Sequence, residues 1–412
     1  MSSLADFIKN FLNSKGHYVF LSLLVAKICG FIGSALIFRL LDKHEMGAAS
    51  IVMSLSVIFI AFSGFGSQQG LLRYGSITDN QDDKNALSAY LFKKGLFYHI
   101  ILSLIFLFSS VFYVEKYEHI LYFFIFFSIR LVGYYFYNYT QSQLRINGDN
   151  QGFARLNNVV NIVGLALMLA FTYLWGLTGY LTSLMLIPYI SLLWLKPLKI
   201  KAPKIIFDKK ELWTYNFQTA ATALFSDALF SIDVLILGFL MSETAVANYK
   251  AAILLPANVT FLAVSFMQSD FPTLAKNYQN KKFLTNYIKN YYKIFIPICI
   301  LIFGISFLLK DELVKLASGN RYDNLGISFS ILLGAFLLNM LFRNLYGNLL
   351  SAVGLMKVNT IVSILVLLVL SGLSLFLVPK YGINGMAIAQ AISLQFTGVV
   401  LMFSFIIYLR KL

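Results

Sequence analysis

The chain has 412 residues, of which 58% are hydrophobic, 16% aromatic and only 12% charged, against the roughly 25% charged residues of an ordinary soluble domain. Apolar stretches of about 20 residues, the length that crosses a bilayer core, recur twelve times, so the chain reads as an all-α polytopic membrane protein. The short segments left between them exclude a second folded domain, a nucleic-acid module or a soluble catalytic domain, and the formal charge of +15 must arise from topology.

Residues 1–17 come first. Leu4, Phe7, Ile8, Phe11 and Leu12 recur at helical spacing opposite Asp6, Lys9, Asn10 and Asn13, which predicts a short amphipathic helix on the inner membrane surface. A long apolar core and a small-residue cleavage site, the marks of a secretory signal, are both missing there. Six predicted spans follow at 18–41, 47–72, 95–114, 119–139, 156–175 and 177–195. A second six lie at 215–241, 245–271, 291–309, 325–350, 358–378 and 383–409. The expected organisation is therefore an interfacial segment at 1–17, an N-terminal six-helix lobe at 18–195, a basic linker at 196–214 and a C-terminal six-helix lobe at 215–412. With a cytoplasmic N-terminus, and with Lys293 at the inner end of its span counted as inside, the inside segments hold 22 Lys or Arg and the outside loops 6. That bias predicts both termini in the cytoplasm and the basic stretches 196–210 and 276–293 beside anionic lipid.

Charged side chains inside spans are expensive and usually face a cavity or a partner. Lys27 lies mid-span on a face with Gly30, Phe31 and Ser34. Arg130 is central in the fourth span and heads a stripe with Tyr134, Tyr137 and Gln141, while Arg343 shares a stripe with Asn339 and Tyr346 in the tenth. Arg39 and Lys250 sit toward outer ends, where they can snorkel to headgroups. Against these five cations stand only Asp227 and Asp233, six residues apart in the seventh span, so they point to different surroundings. Each acid can simply pair a cation, but the surplus of positive charge calls for water or an anionic ligand. Asp227 and Asp233 are also the candidates for coupling to a proton or sodium gradient.

Other side chains leave two readings open. Tyr134, Tyr135, Phe136, Tyr137 and Tyr139 around Asn138 suit stacking on sugar rings, or anchoring at the membrane edge. His99 fits a proton relay or a hydrogen-bonded bundle position. Pro188, Pro256 and Pro297 fall within spans and predict kinks, and Gly64, Gly66 and Gly70 permit bending or close packing. Cys29 and Cys299 lie within apolar spans at a spacing that suggests neither a disulfide nor a metal site.

An internal repeat underlies the layout. Residues 40–55 read LLDKHEMGAASIVMSL and residues 240–255 read LMSETAVANYKAAILL; residues 137–148 (YNYTQSQLRING) match 343–354 (RNLYGNLLSAVG) in layout. An even-numbered unit repeated keeps its orientation, which predicts two parallel six-helix lobes around a central cavity.

The stretches FRLLDKHEMGAAS, SGFGSQQGLLRYG, SIDVLILGFLMSETAVANYKAA and FPTLAKNY, in this order along a twelve-span chain, resemble Wzx-type polysaccharide flippases. These belong to the multidrug/oligosaccharidyl-lipid/polysaccharide exporter superfamily, whose fold is MATE-like. The resemblance implies a monomeric, multi-pass transporter of the bacterial inner membrane, without cofactor and not an enzyme. It would move an undecaprenyl-pyrophosphate-linked oligosaccharide, an O-antigen or related repeat unit, to the periplasmic leaflet by alternating access. Polymerase and chain-length proteins of the same pathway are the implied protein partners. Lys27, Arg130 and Arg343 would hold the pyrophosphate, with Arg39 and Lys250 in support, and Tyr134, Tyr137, Asn138, Asn339 and Tyr346 would contact sugar. Two rivals fit less well. A polymerase or ligase would need more than the short outer segment 310–324, and an exporter of cationic drugs would want acids where the first span offers Lys27.

Overall fold

The computed structural model describes residues 16–76, 78, 80–195, 207–228, 231–261, 263, 267, 274, 277–322 and 324–412. Residues 1–15 of the expected amphipathic helix and residues 196–206 of the basic linker lie outside the described residues. Among the described residues all regular structure is helical. The principal helices are α1 (Gly16–Leu40), α2 (Lys43–Ala61), α3 (Ser67–Ser76), α4 (Gln81–Phe108), α5 (Ile120–Ile146) and α6 (Asn150–Leu186). After the linker come α7 (Lys209–Ala228), α8 (Ile232–Leu240), α9 (Glu243–Val259), α10 (Lys281–Leu308), α11 (Lys310–Ser318), α12 (Gly326–Asn339), α13 (Leu345–Ala352) and α14 (Met356–Lys411).

Polar residues at the span edges start these helices by accepting orphan amide protons. Asn80 accepts from the Asp82 amide, Asp149 from Gly152, Ser242 from Ala245 and Asn280 from Phe283. At the start of α2, Asp42 and Glu45 cap each other's amides reciprocally at 2.8 and 3.1 Å. The repeat seen in the sequence thus reappears as two capped starts, at Asp42 and at Ser242.

Eight helical segments among the described residues are long and apolar enough to cross a membrane, and two of them, Asn150–Trp194 and Lys357–Lys411, are 45 and 55 residues long. At 1.5 Å per residue these are roughly two to three times as long as a core of about 30 Å. Neither is a single rod. Gly176 interrupts α6 at φ 56°, ψ −134°, and Gly382 interrupts α14 at φ 58°, ψ −134°. A Cβ on Gly179 would lie 1.9 Å from the Phe171 carbonyl oxygen, and one on Gly385 would lie 2.3 Å from that of Leu377. Residues eight apart meet this closely only where a chain folds back, so each segment is an antiparallel pair of helices. The G-x-x-G turns fall where the sequence divides its fifth from its sixth span and its eleventh from its twelfth. Among the described residues the eight segments thus comprise ten spans, and the protein is an all-α, polytopic membrane protein in two helical lobes.

Two compact units account for the chain: Met1–Leu41 with Leu55–Leu224, and Asp42–Ser54 with Phe225–Leu412. This differs from the expected lobes at 18–195 and 215–412 in two exchanged segments. The first half of α2 belongs to the second unit because Gly47 has no side chain: a Cβ there would lie 1.8 Å from the Glu243 carbonyl oxygen, so the two capped starts touch backbone to backbone. His44 Nδ1 meets Glu243 Oε1 at 3.0 Å and the Lys43 ammonium lies 5.2 Å from the Tyr322 ring, which fixes the same contact. Conversely, the first sixteen residues of α7 belong to the first unit. There Leu212 is fully buried among Leu71, Leu91, Tyr135 and Tyr139, Trp213 Nε1 donates to Tyr90 Oη at 3.1 Å, and Gly66 and Gly70 abut Asn216.

The second span is not one helix either. Gly64, Phe65 and Gly66 take φ of 52°, 50° and 77° between α2 and α3. His99, fully buried on α4, braces this break: its Nδ1 accepts from the Gly64 amide at 3.3 Å, and its Nε2 lies 2.7 Å from the Leu131 carbonyl. Those partners place the ring proton on Nε2 and make His99 a neutral structural bridge. The prolines take different roles. Pro188 opens a 3-10 segment, Ile187–Trp194, after α6, while Pro256 and Pro297 lie within α9 and α10.

Candidate functional site

In the first unit, helices approach one another on small residues. A Cβ on Gly33 of α1 would meet Met168 of α6 at 2.6 Å, and one on Gly133 of α5 would meet Tyr189 at 2.7 Å. Where Gly30 leaves open space, a pocket of about 180 Å³ remains, lined by Arg130, Tyr134, Asn161, Cys29, Met168 and Pro188 among others. Arg130 is half-buried, its guanidinium stacked 5.0 Å from the Phe127 ring and 4.9 Å from the Tyr134 ring. One Nη donates to Tyr134 Oη at 3.2 Å, and the buried Nε has no hydrogen-bond partner. No carboxylate lines this pocket.

Beneath Arg130 lies an amide network. Asn157, almost wholly buried, donates through Nδ2 to the Ser22 carbonyl at 2.9 Å. Its Oδ1 accepts from Tyr137 Oη and, at 3.4 Å, from Gln141 Nε2. Asn161 Nδ2 donates to the Asn157 carbonyl at 2.7 Å. The stripe Arg130, Tyr134, Tyr137 and Gln141 therefore faces α1 and α6, as one polar seam in an apolar bundle. Asn138, on the neighbouring face, is half-buried and its carbonyl accepts from Ser142 Oγ at 3.1 Å.

The second unit has its own pocket. A π-helical turn, Met340–Asn344, interrupts the helix that runs from α12 to α13, and Gly398 of α14 allows it: a Cβ there would lie 2.6 Å from Phe342 Cβ. Such turns recur at functional sites. Arg343 of this turn lines a pocket of about 270 Å³ together with Asn344, Asn348, Ser351, Asn359 and Thr397. Asn359 Nδ2 donates to the Gly347 carbonyl and to Ser351 Oγ, both at 2.9 Å. The buried Asn344 Nδ2 and Asn359 Oδ1 have no partner, so the pocket retains hydrogen-bonding capacity. Asn339 lies one turn earlier with its Oδ1 likewise unsatisfied, and the buried Tyr346 accepts from Tyr292 Oη at 3.2 Å.

The two acids lie in different surroundings. Asp227 is exposed at the end of α7. Asp233, 2% exposed, accepts from Tyr249 Oη at 2.8 Å and from the Val234 amide at 2.8 Å, and Lys250 interacts with it electrostatically. The structure thus groups Arg130, Tyr134 and Tyr137 in one unit, Arg343, Asn339 and Tyr346 in the other, and Asp233 with Lys250. Lys27 and Arg39 are exposed on α1 and line neither pocket. The hub Asn157, with Asn161, Asn344, Asn348 and Asn359, was not singled out from the sequence. The signal was present: RLNNVVN sets three amides inside an apolar span. Among the described residues no cluster of ligating side chains could hold a metal.

A family model described as "Polysaccharide biosynthesis protein" matches residues 14–278. No curated protein matches the sequence. The fold is shared with solved transporters at low identity. The lipid II flippase MurJ, in an inward closed conformation, superposes with a TM-score of 0.73 at 16% identity, covering 95% of this chain and 89% of that one. An inward-facing multidrug resistance MATE family transporter of the MOP superfamily gives a TM-score of 0.72 at 14% identity, over 95% and 99% of the two chains. A MOP superfamily transporter from Pyrococcus furiosus, whose structure is described as showing reversed polarity of the binding pocket, gives 0.58 at 14% identity over 96% and 93%.

Proposed function

The chain belongs to the polysaccharide biosynthesis protein family, and from that premise we propose that it is a flippase for an undecaprenyl-pyrophosphate-linked oligosaccharide, such as an O-antigen repeat unit. It carries this substrate from the cytoplasmic to the periplasmic leaflet by alternating access of its two lobes and catalyses no covalent step. Its setting is the bacterial inner membrane, with both termini in the cytoplasm, and its protein partners are the polymerase and chain-length proteins of the same pathway.

The observation that carries the reading is Arg130: a guanidinium with a partnerless buried Nε, beside a pocket with no carboxylate, at mid-depth of an apolar unit. A half-buried cation without a counter-charge is stabilised by water or by an anion, and a pyrophosphate group supplies the anion. Tyr134, Tyr137, Asn138, Asn339 and Tyr346, with the amides beside them, offer hydroxyl and amide groups for sugars. A change of pocket polarity on this fold has a parallel in the reversed polarity described for the archaeal transporter.

The membrane potential favours the direction. Moving negative charge outward across an inside-negative membrane gains about 2.3 kcal/mol per charge per 100 mV. Asp233 is the ion-coupling candidate, with Lys250 as the internal cation that competes with a proton or sodium ion for its carboxylate. The test is transport of a fluorescent lipid-linked oligosaccharide in reconstituted vesicles. Arg130→Ala at equal protein level should abolish it, and full transport by that variant would overturn the reading.

A further inference from the structure

An apolar groove runs along the second unit between α10 and α12. Ile296, Ile300 and Phe303 form one wall, Leu337, Leu338 and Leu341 the other, and the volume is about 420 Å³. Glycines hollow it out. A Cβ on Gly304 would meet no atom within 4 Å, and one on Gly334 would touch only the Phe303 ring at 3.4 Å. Both walls belong to membrane-crossing helices, so the groove opens to hydrocarbon and its natural occupant is a hydrocarbon chain.

The residues just before the groove say which kind. Lys289 and Lys293 precede Ile296 and Ile300 by seven residues each, which places them on the same face of α10. Both lysines are exposed. One helix face therefore offers two ammonium groups and then an apolar slot, the complement of a lipid with an anionic head. Tyr291 Oη donates to the Met340 carbonyl at 2.8 Å, and Tyr292 Oη to Tyr346 Oη at 3.2 Å. These bonds set the lysine end of the groove level with the π turn that carries Arg343, whose polar pocket lies on the other side of the same helix.

Resting on the flippase reading above, we propose that this groove docks the polyprenyl tail of the lipid-linked substrate at entry, with its pyrophosphate over Lys293 and Lys289 before the headgroup passes to Arg130. The tail then stays at the outer surface of the second unit while the headgroup lies beside the helix that lines the Arg343 pocket. Chain length beyond the slot remains in the bilayer, so the site reads the head-proximal part of the tail.

The test uses the full chain in phosphatidylcholine nanodiscs and a diazirine-bearing polyprenyl pyrophosphate, with labelled peptides mapped by mass spectrometry. Labelling should concentrate in 296–304 and 334–341. It should fall about tenfold in Gly304→Leu, whose Cβ has no neighbour within 4 Å, and in Ile300→Trp, which alters an exposed residue. It should fall severalfold in the Lys289→Gln, Lys293→Gln double variant. Excess unlabelled polyprenyl pyrophosphate should compete, and phosphatidylglycerol should not. Equal competition by phosphatidylglycerol, or undiminished labelling in both groove-filling variants, would overturn the assignment. Retention of radiolabelled polyprenyl pyrophosphate by the wild type separates the two ideas. If it is retained but labels other segments, the groove assignment alone falls; if none is retained above a lipid-only control, both fall.

Discussion

The hairpin turns at Gly176 and Gly382 agree within 2° in φ and share a ψ of −134°, whereas the pockets beside them agree in almost nothing. At the offset of 206 that relates the turns, Arg130 corresponds to Phe336 and Arg343 to Tyr137. Each unit has a guanidinium on the equivalent helix, but the two are displaced by seven residues, about 10 Å along the axis. One cation stacks between aromatic rings above an amide hub; the other sits on a π turn among amides and hydroxyls. The backbone dictates the turns, since a positive φ combined with a ψ of −134° is open to glycine alone. Side chains facing a pocket carry no such constraint, and the two linings have diverged into different chemistry.

Single replacements of the two arginines test this asymmetry most strongly. Arg130→Ala and Arg343→Ala should each lower surface polysaccharide more than tenfold at matched protein level, while Lys27→Ala, at an exposed site that lines neither pocket, should lower it less. Full activity in Arg343→Ala would show that the Arg130 pocket suffices, whereas full activity in Arg130→Ala would overturn the reading. Asp233→Asn should weaken the response of vesicle transport to an imposed pH gradient and leave binding intact; an unchanged response removes Asp233 from coupling and leaves the membrane potential as the drive.

Stability measurements sharpen the other side of the comparison. Gly179→Ala and Gly385→Ala should each destabilise by about 1–3 kcal/mol through overpacking against carbonyl oxygens, by similar amounts if the hairpins are equivalent. Asn157→Ala strands Tyr137 Oη and the Ser22 carbonyl and should lower the melting temperature by the equivalent of about 1–2 kcal/mol. Asn359→Ala, with one amide oxygen already unsatisfied, should do less. The smallest effect belongs to the exposed His44–Glu243 contact, where His44→Ala should change stability by under about 1 kcal/mol.

The division into spans was legible because a continuous apolar run interrupted by W-G-L-T-G or K-Y-G-I-N-G has few solutions in a bilayer. The capped starts at Asp42 and Ser242 were legible as a repeat for the same local reason. Arg130 with Tyr134 and Tyr137 was legible as a stripe. What escaped depends on partners distant in sequence. Nothing near Gly47 announces that Glu243 will lie against it, and nothing near Arg343 announces the π turn, which Gly398 permits from the next hairpin. Helices that are apolar on all sides carry no moment to say which face is inward. The pockets were therefore visible only through their charges, and the uncharged amides that build them were passed over.

The exchange of Asp42–Ser54 into the second unit sets a timetable for biogenesis. Its partner, the start of α9 at Glu243, leaves the ribosome about 200 residues later, roughly 10 to 40 s at ordinary rates of synthesis. During that interval a capped, small-residue helix start has been delivered to the membrane without the surface it was shaped to meet. The linker between the two sets of six spans is therefore the wrong place to divide the gene. A fragment ending at residue 206 carries thirteen residues of the other lobe's fold, and a fragment beginning at 207 lacks them.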